Sequence, residues 1–357
     1  MLKLLFPLRQ YVSFFNIFQY ITFRSAYAAV TALLISFLFG PWIIGRLRAL
    51  KTGWTVREDT PSSHQAKTGT PTMGGVLIIL SIGISLLLWE DPTSVHTWLL
   101  LFATLGFGTI GFVDDMLKMS PRKRGISAGV KIGGQIVVST IIVTVLYIQR
   151  TDTTTLLYLP FLKHAVLDLS WLYIPFAVIL MVGYSNAVNL TDGLDGLAIG
   201  LVIMVGLALT VLAYLTGRVD YADYLQIPFV KGGGEIAVFC LAVVGAAVGF
   251  LWFNAHPAEV MMGDTGSLSL GGVLGVVAII LKKEILILIL GGVFVLETLS
   301  VAIQVASFKL TGKRVFKMAP LHHHFELSGW PESKVVARLW ILGGLFAILG
   351  LSTLKIQ

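Results

Sequence analysis

The chain has 357 residues, 56% of them hydrophobic and 13% charged, with a mean hydropathy of +0.85. A water-soluble globular protein carries about a quarter of its residues charged, so the composition excludes a soluble domain. The net charge of +7 comes without a basic helix or an alternation of aromatic and basic residues, which excludes a nucleic-acid binder and leaves loop charges that set membrane topology.

A bilayer span needs roughly 20 mostly apolar residues. In chain order such windows lie near 25–45, 72–89, 97–117, 130–148, 171–188, 196–216, 236–253, 266–282, 286–307 and 336–354. They predict an all-α integral membrane protein of about ten transmembrane helices. No long hydrophilic linker divides them, so residues 1–357 read as a single polytopic domain. The first window runs from Ala26 through Ile44 into Arg46 and Arg48 without a small-residue cleavage site, and does not read as a cleavable signal. Cys240, the only cysteine, forms no internal disulfide.

Loop charge sets the orientation. The first loop carries Arg46, Arg48, Lys51, Arg57 and Lys67, the third Lys118, Arg122, Lys123 and Arg124, and the ninth Lys309, Lys313, Arg314 and Lys317. The opposite face is sparser, with Glu90, Asp91, Arg150, Lys163, Arg218, Lys231, Lys282 and Lys283. The positive-inside bias places the odd-numbered loops in the cytoplasm and both termini outside.

The polar motifs fall in those same loops. Asp114 and Asp115 close the third window. Adjacent helical residues point about 100° apart, so the two carboxylates have separate jobs or mark a solvated helix end. Asn186, Asn189, Asp192 and Asp195 recur at every third residue, which stacks polar groups on one face while a helix lasts. With Gly193 and Gly196 allowing close backbone approach, they suit a ligand with hydroxyls, an imide and phosphates; the alternative is an Asx-rich turn. Gly263-Asp-Thr-Gly-Ser267 opens the eighth span. Amides at a helix start favour phosphate and Asp264 suits a hard cation, although the same residues also cap helices. His322, His323 and His324 are consecutive, whereas helical zinc pairs need a spacing such as i, i+4. Beside Lys313, Arg314 and Lys317 they read as a loop contacting phosphate or sugar. Lys67 with Thr70 and Thr72 suits a grip on phosphate or base, or a helix-entry turn. Glu297 and Gln304, seven residues apart, read as a helix–helix polar contact.

Loops five and seven contain no Lys or Arg, so topology signalling does not explain their acidic strings. Ionisable residues gathered at a membrane boundary are functional candidates, and point to a membrane-embedded enzyme. A transporter places such groups near the midplane on broken helices, and Glu297 is the main residue placed that way. A structural scaffold leaves the acidic clusters unexplained.

Pro71-Thr-Met-Gly-Gly75, Gly111-Phe-Val-Asp-Asp115, Asn186-Ala-Val-Asn-Leu-Thr-Asp-Gly-Leu-Asp-Gly196, Phe250-Leu-Trp-Phe-Asn254, Met262-Gly-Asp264 and Ala319-Pro-Leu-His-His-His324 together resemble the bacterial phospho-N-acetylmuramoyl-pentapeptide transferases. These belong among the polyprenyl-phosphate N-acetylhexosamine-1-phosphate transferases. The resemblance covers essentially the whole chain, and the Pro71–Gly75 string and the histidines favour the muramyl-pentapeptide branch over one using UDP-GlcNAc. It implies a cytoplasmic cleft in the bacterial inner membrane, a homodimer, and magnesium-dependent transfer of phospho-MurNAc-pentapeptide from UDP-MurNAc-pentapeptide to undecaprenyl phosphate. The products are lipid I and UMP. It implies Asp114, Asp115 and Asp264 as catalytic residues, with Asp264 a metal ligand. It implies Lys67, Thr72, Lys131, Asn189, Asp192, Gly193, Asp195, Asn254, His322, His323 and His324 as substrate-binding. Met261 departs from the Phe of some relatives.

Overall fold

The computed structural model describes residues 1–50, 67, 69–119, 125–149, 153–162 and 167–354. The loop cations Lys51, Arg57, Arg122, Lys123, Arg124, Arg150 and Lys163 lie outside the described residues. Among the described residues, nine helices are long and apolar enough to cross a membrane. They are α1 (Ile21–Ala49), α3 (Val95–Met119), α4 (Ala128–Ile148), α5 (Tyr173–Thr191, extended at its start from Ser170), α6 (Leu197–Thr216), α8 (Gly233–Asn254), α9 (Gly263–Ile280), α11 (Gly292–Thr311) and α13 (Glu332–Ser352). A tenth apolar helix, α2 (Gly75–Trp89), is shorter. Short helices α7 (Val219–Leu225), α10 (Leu286–Leu290) and α12 (Leu321–Glu326) lie between them. This is the all-α integral membrane architecture that the apolar windows predict.

The windows and helices differ where backbone groups find partners elsewhere. The second window starts at residue 72, but α2 starts at Gly75. The Gly74 and Gly75 N–H groups donate to the Met261 and Met262 carbonyls at 2.9 Å each, and the Met261 N–H donates to the Pro71 carbonyl at 2.8 Å. Residues 71–74 are thus tied to the segment before α9 instead of joining the helix. The ninth window starts at residue 286, but the chain breaks at Gly291, so α10 and α11 are separate. A Cβ on Gly291 would collide with the Tyr184 hydroxyl, so α5 passes the break at a distance that only glycine allows. Beyond Ser300 no residue of α11 is buried, and Val305, Phe308 and Leu310 are exposed. Between α4 and α5 there is also a two-residue antiparallel hairpin, β1 (Leu156–Leu157) with β2 (Leu167–Asp168), too short to register as period-two hydropathy.

The core is built around α8 and α9, whose residues are buried on nearly every side. Helix α8 packs on α1 and α6, and α9 on α3 and α5. Without water, helices in a membrane associate through close packing of small residues. Accordingly Gly245 of α8 lies on the Ala29 backbone, Gly271 of α9 on the Ser185 backbone, and Gly75 of α2 on Gly266 of α9. The last contact draws the starts of α2 and α9 together. Ahead of α1, 3-10 turns over Leu2–Gln10 and Ser13–Gln19 pack Phe15 and Phe18 beside Phe23 and Trp89.

Candidate active site

Four helices deliver the acidic cluster. Asp114 and Asp115 come from the end of α3, Asp264 from the start of α9, Asn189 from the end of α5 and Lys131 from the start of α4. Carboxylate oxygens of Asp114, Asp115 and Asp264 lie within 4.8 Å of one another. Although adjacent on the helix, the paired aspartates converge on this cluster and both meet Lys118, at 2.7 and 3.8 Å, while their hydrogen bonds differ. Asp115 accepts the Thr265 N–H at 2.9 Å, the Thr265 hydroxyl at 2.7 Å and the Asp264 N–H at 3.2 Å, which fastens it to the first turn of α9. Asp114 accepts the Ile126 N–H at 2.6 Å and meets Lys118 Nζ at 2.7 Å. Asp264 is bonded by Lys131, lies 3.0 Å from Lys118 Nζ and accepts the Asn189 amide at 2.9 Å. Asn189 also donates to the Ser267 hydroxyl at 2.8 Å.

Gly263 closes the floor of this cluster. Its φ is +73°, and a Cβ there would come within 2.8 Å of both the Asp115 carboxylate and the Thr72 hydroxyl. That backbone is strained for L side chains, and the space is already filled. Thr72 therefore borders the acidic cluster.

The turn after α5 joins this cluster to a second one. Burial, then the carboxylates of Asp264 and Asp115, push the Asp192 carboxyl well above the usual range, against the opposing pull of the Gly263 N–H. Three residues on, the buried Asp195 accepts Lys67 Nζ at 2.7 Å, and its other oxygen faces His256 Nδ1 and the Ala258 N–H at 3.1 Å each. Glu332, at the first position of α13, accepts Lys67 Nζ at 2.5 Å and the Asp195 N–H at 2.9 Å. Asn254 holds the same turn from α8: its carbonyl accepts the Gly196 N–H at 3.1 Å and its amide donates to the Val260 carbonyl at 2.8 Å.

The three histidines diverge. His322 is fully buried, with its ring occupying the space a Cβ on Gly193 would need. His323 Nδ1 lies 3.0 Å from Glu326. His324 Nδ1 accepts the Lys317 N–H at 3.1 Å, and its ring meets Phe316 and Phe325 edge-on. The rings point to separate partners and do not share one. Of Glu297 and Gln304, Glu297 makes a polar contact between helices, from α11 to α12, and Gln304 does not. Gln304 accepts the Val315 and Phe316 N–H groups at 3.0 and 2.9 Å and donates to the Phe316 carbonyl at 3.0 Å, while Glu297 lies against His322. Both residues fasten the chain that follows α11, and Glu297 sits at the level of the site.

Sequence reasoning places Lys118 among the topology charges, and passes over His256, Thr265 and Glu332. Lys118 carries a usable signal, since it follows Asp114 by four residues and Asp115 by three, on their side of the helix. Glu332 carries none, because its partners Lys67 and Asp195 are remote in sequence.

A family model described as glycosyl transferase family 4 matches residues 97–282, and a phospho-N-acetylmuramoyl-pentapeptide-transferase signature matches residues 67–79. The chain is similar to the phospho-N-acetylmuramoyl-pentapeptide-transferase of Syntrophus aciditrophicus, 53% identical over 356 residues and 99% of each chain. It is 54% identical over 344 residues to the protein of that name from Borrelia hermsii, across 96% of this chain and 98% of the relative. A third, from Desulforapulum autotrophicum, is 52% identical across 99% of each chain. Spanned end to end by such relatives, with its matched motifs gathered where the helices end, the chain belongs to the phospho-N-acetylmuramoyl-pentapeptide-transferase family and is a membrane transferase.

Proposed function

We propose that this chain transfers phospho-MurNAc-pentapeptide from UDP-MurNAc-pentapeptide to undecaprenyl phosphate, giving lipid I and UMP in the first membrane step of peptidoglycan synthesis. The observation that carries the reading is the cluster of Asp114, Asp115 and Asp264 at helix ends, reached by Lys118 and Lys131. A soluble nucleotide meets a lipid phosphate only where membrane helices end. Phosphoryl transfer is chiefly a matter of positioning and charge stabilisation, and this cluster offers both.

An oxygen of undecaprenyl phosphate attacks the sugar-bearing phosphorus of the donor. A new P–O bond forms as the bond to UMP breaks, and UMP leaves with the electron pair. A phosphate monoester has a second pKa of roughly 6, so at neutral pH the acceptor is already largely dianionic. Asp114 therefore orients the acceptor and takes a proton only below neutral pH. Lys118 and Lys131 turn from the carboxylates to the incoming phosphates. Lys67, Asp195 and Asn254 hold the nucleotide end, Thr72, Asn189, Asp192 and Gly193 border the diphosphate and sugar, and the loop of His322, His323 and His324 flanks the anionic sugar portion.

The donor set fits magnesium, being three carboxylates without sulfur or imidazole; that ion prefers one or two carboxylates together with substrate phosphates. Asp264, beside Asp114 and Asp115, would hold it, and when bound it supplies positive charge to the diphosphate and the departing UMP. In the same reading the site faces the cytoplasm of the bacterial inner membrane, both termini lie outside and two copies pair. The basic odd-numbered loops support that orientation.

The test is UMP release from UDP-MurNAc-pentapeptide and from UDP-GlcNAc, each with undecaprenyl phosphate and magnesium. Release from the muramyl donor that requires the acceptor lipid is expected. Release from UDP-GlcNAc alone, or release indifferent to the lipid, overturns the proposal.

A further inference from the structure

Glu297 is buried in α11 with its Oε2 at 3.3 Å from His322 Nδ1 and at 3.4 Å from the His322 backbone N–H. Among the described residues its Oε1 has no hydrogen-bond partner, and neither ring nitrogen of His322 completes an aligned hydrogen bond. Burying a carboxylate without a full set of partners costs several kcal/mol, so such a residue persists where its orientation is used. Among the described residues the one ionisable partner that Glu297 meets is His322. On its far side the His322 ring lies against Gly193, so closely that no Cβ fits there. Gly193 stands between Asp192, which lies near Asp264 and Asp115, and Asp195, which is bonded to Lys67. One line of contact therefore runs from a membrane helix, through a histidine, to the turn that joins both halves of the site.

We propose that Glu297 is a positioning residue that acts through His322. Its carboxylate fixes which face of the imidazole meets Gly193, and the ring in turn sets where the turn from Asp192 to Asp195 stands. A partner on one ring nitrogen fixes the tautomer and orientation of the other; the groups that orient metal-bound histidines in this way are worth about 10–100-fold in activity, which sets the scale expected here. Hydrogen bonds that are loose without substrate tighten when it binds, so the long Glu297–His322 approach suits a brace that closes around the nucleotide sugar. The positioning role rests on the proposed transfer; the pairing itself does not.

The experiment is a double-mutant cycle of Glu297→Ala and His322→Ala in the full chain, read two ways. By thermal unfolding, which needs no substrate, the two losses should be non-additive; additive losses would overturn the pairing. By turnover of UDP-MurNAc-pentapeptide, Glu297→Ala should lose about 10–100-fold per folded molecule, with kcat and KM for the nucleotide sugar both changed. In the His322→Ala background the same change should cost less than about threefold, because the path is already cut. Glu297→Gln, which keeps the shape and an acceptor oxygen, should recover several-fold over Glu297→Ala. Equal losses in both backgrounds, or wild-type kinetics for Glu297→Ala, would sink the positioning role. Should the alanine variants not fold, Glu297→Gln and His322→Asn complete the same cycle. If the wild-type chain does not turn over these substrates, the proposed reaction fails, while the unfolding cycle still decides the pairing.

Discussion

Both ends of the helix bundle bury charge, and they bury it differently. At the end carrying the candidate site, three carboxylates meet lysines that reach in from the rim; Lys118 has 47% of its side chain exposed. At the opposite end Arg24 of α1 is 1% exposed and binds both oxygens of Glu235, at 2.6 and 2.7 Å, as well as the Trp89 carbonyl at 3.1 Å. Lys3 then bridges Glu235 and Asp91 at 3.1 and 2.6 Å. A guanidinium locked in two parallel bonds is a fixed fastener. An ammonium on a flexible, solvated stem is an exchangeable counter-ion, and contributes little to stability where it stands. Around Asp114, Asp115 and Asp264 charge is arranged so that the Lys118 cation can be redirected, and around Glu235 so that the Arg24 cation cannot.

The largest effect that would test this contrast is at Asp264. Asp264→Asn keeps the size and removes the charge on which Lys118 and Lys131 converge. Turnover should fall by about 10²–10³-fold or more, with a weakened response to magnesium, while the unfolding temperature changes little. Steady-state kinetics across a magnesium titration check it. Near-normal turnover with an unchanged titration would remove Asp264 from the machinery.

Arg24→Met should do the reverse. Removing the buried guanidinium leaves Glu235 to Lys3 and the Asp91 N–H, and costs up to about 3–5 kcal/mol, read as a lower unfolding temperature. The molecules that remain folded should keep the wild-type KM for the nucleotide sugar. A selective change in KM with stability intact would make the far end part of the site and erase the contrast.

Lys118→Met is the intermediate case. It should lower turnover by about a hundredfold, the low end of the effect of removing one charge-stabilising donor. Stability should move by less than about 1 kcal/mol, because the side chain is half exposed. Loss of stability without loss of turnover would make Lys118 a fastener like Arg24.

How far the sequence discloses each end follows from the same physics. The apolar windows anticipate the helices because burying a backbone in lipid demands long uninterrupted runs. The acidic end is visible because Asp114-Asp115, the Asn189 string and Gly263-Asp264 interrupt apolar sequence where lipid penalises them. Lys118 was hidden by a second explanation, the topology of loop charge. Glu297 is visible as an oddity, but its partner His322 comes 25 residues later in α12, and no local signal announces that the chain after Thr311 folds back onto α11. The far end is nearly illegible, since Arg24, Glu235 and Asp91 stand singly at window edges and only the packing of α1 on α8 and the turns before α1 brings them together.

The smallest effect lies in that far end, at Glu90. It is 1% exposed and, among the described residues, neither oxygen is hydrogen-bonded; the neighbouring Thr97 hydroxyl donates to the Asp91 carbonyl at 2.8 Å. Burial first, then the Glu235 carboxylate, push the Glu90 carboxyl up to about 8 from an ordinary 4.5. A group whose folded value is raised binds its proton more tightly in the folded chain, so its contribution to stability is complete below about 4.5 and drains away as pH rises towards 8. Asp91, held down to about 2 by Lys3 and Thr93 despite its burial, loses its contribution only in acid. Lys283, pushed down to about 8 from 10.5 by burial, acts only above that range. Between pH 5 and 8 Glu90 therefore contributes a falling slope, as does Asp192 at the other end. Glu90→Gln mimics the protonated carboxyl. It should leave the unfolding temperature nearly unchanged at pH 5 and raise it by a few degrees at pH 8, on the order of 1–2 kcal/mol once local rearrangement absorbs part of the burial. Unfolding scans of both chains at the two pH values decide it. Parallel curves would show that Glu90 finds its charge a partner, and that the far end is not as closed as its packing implies.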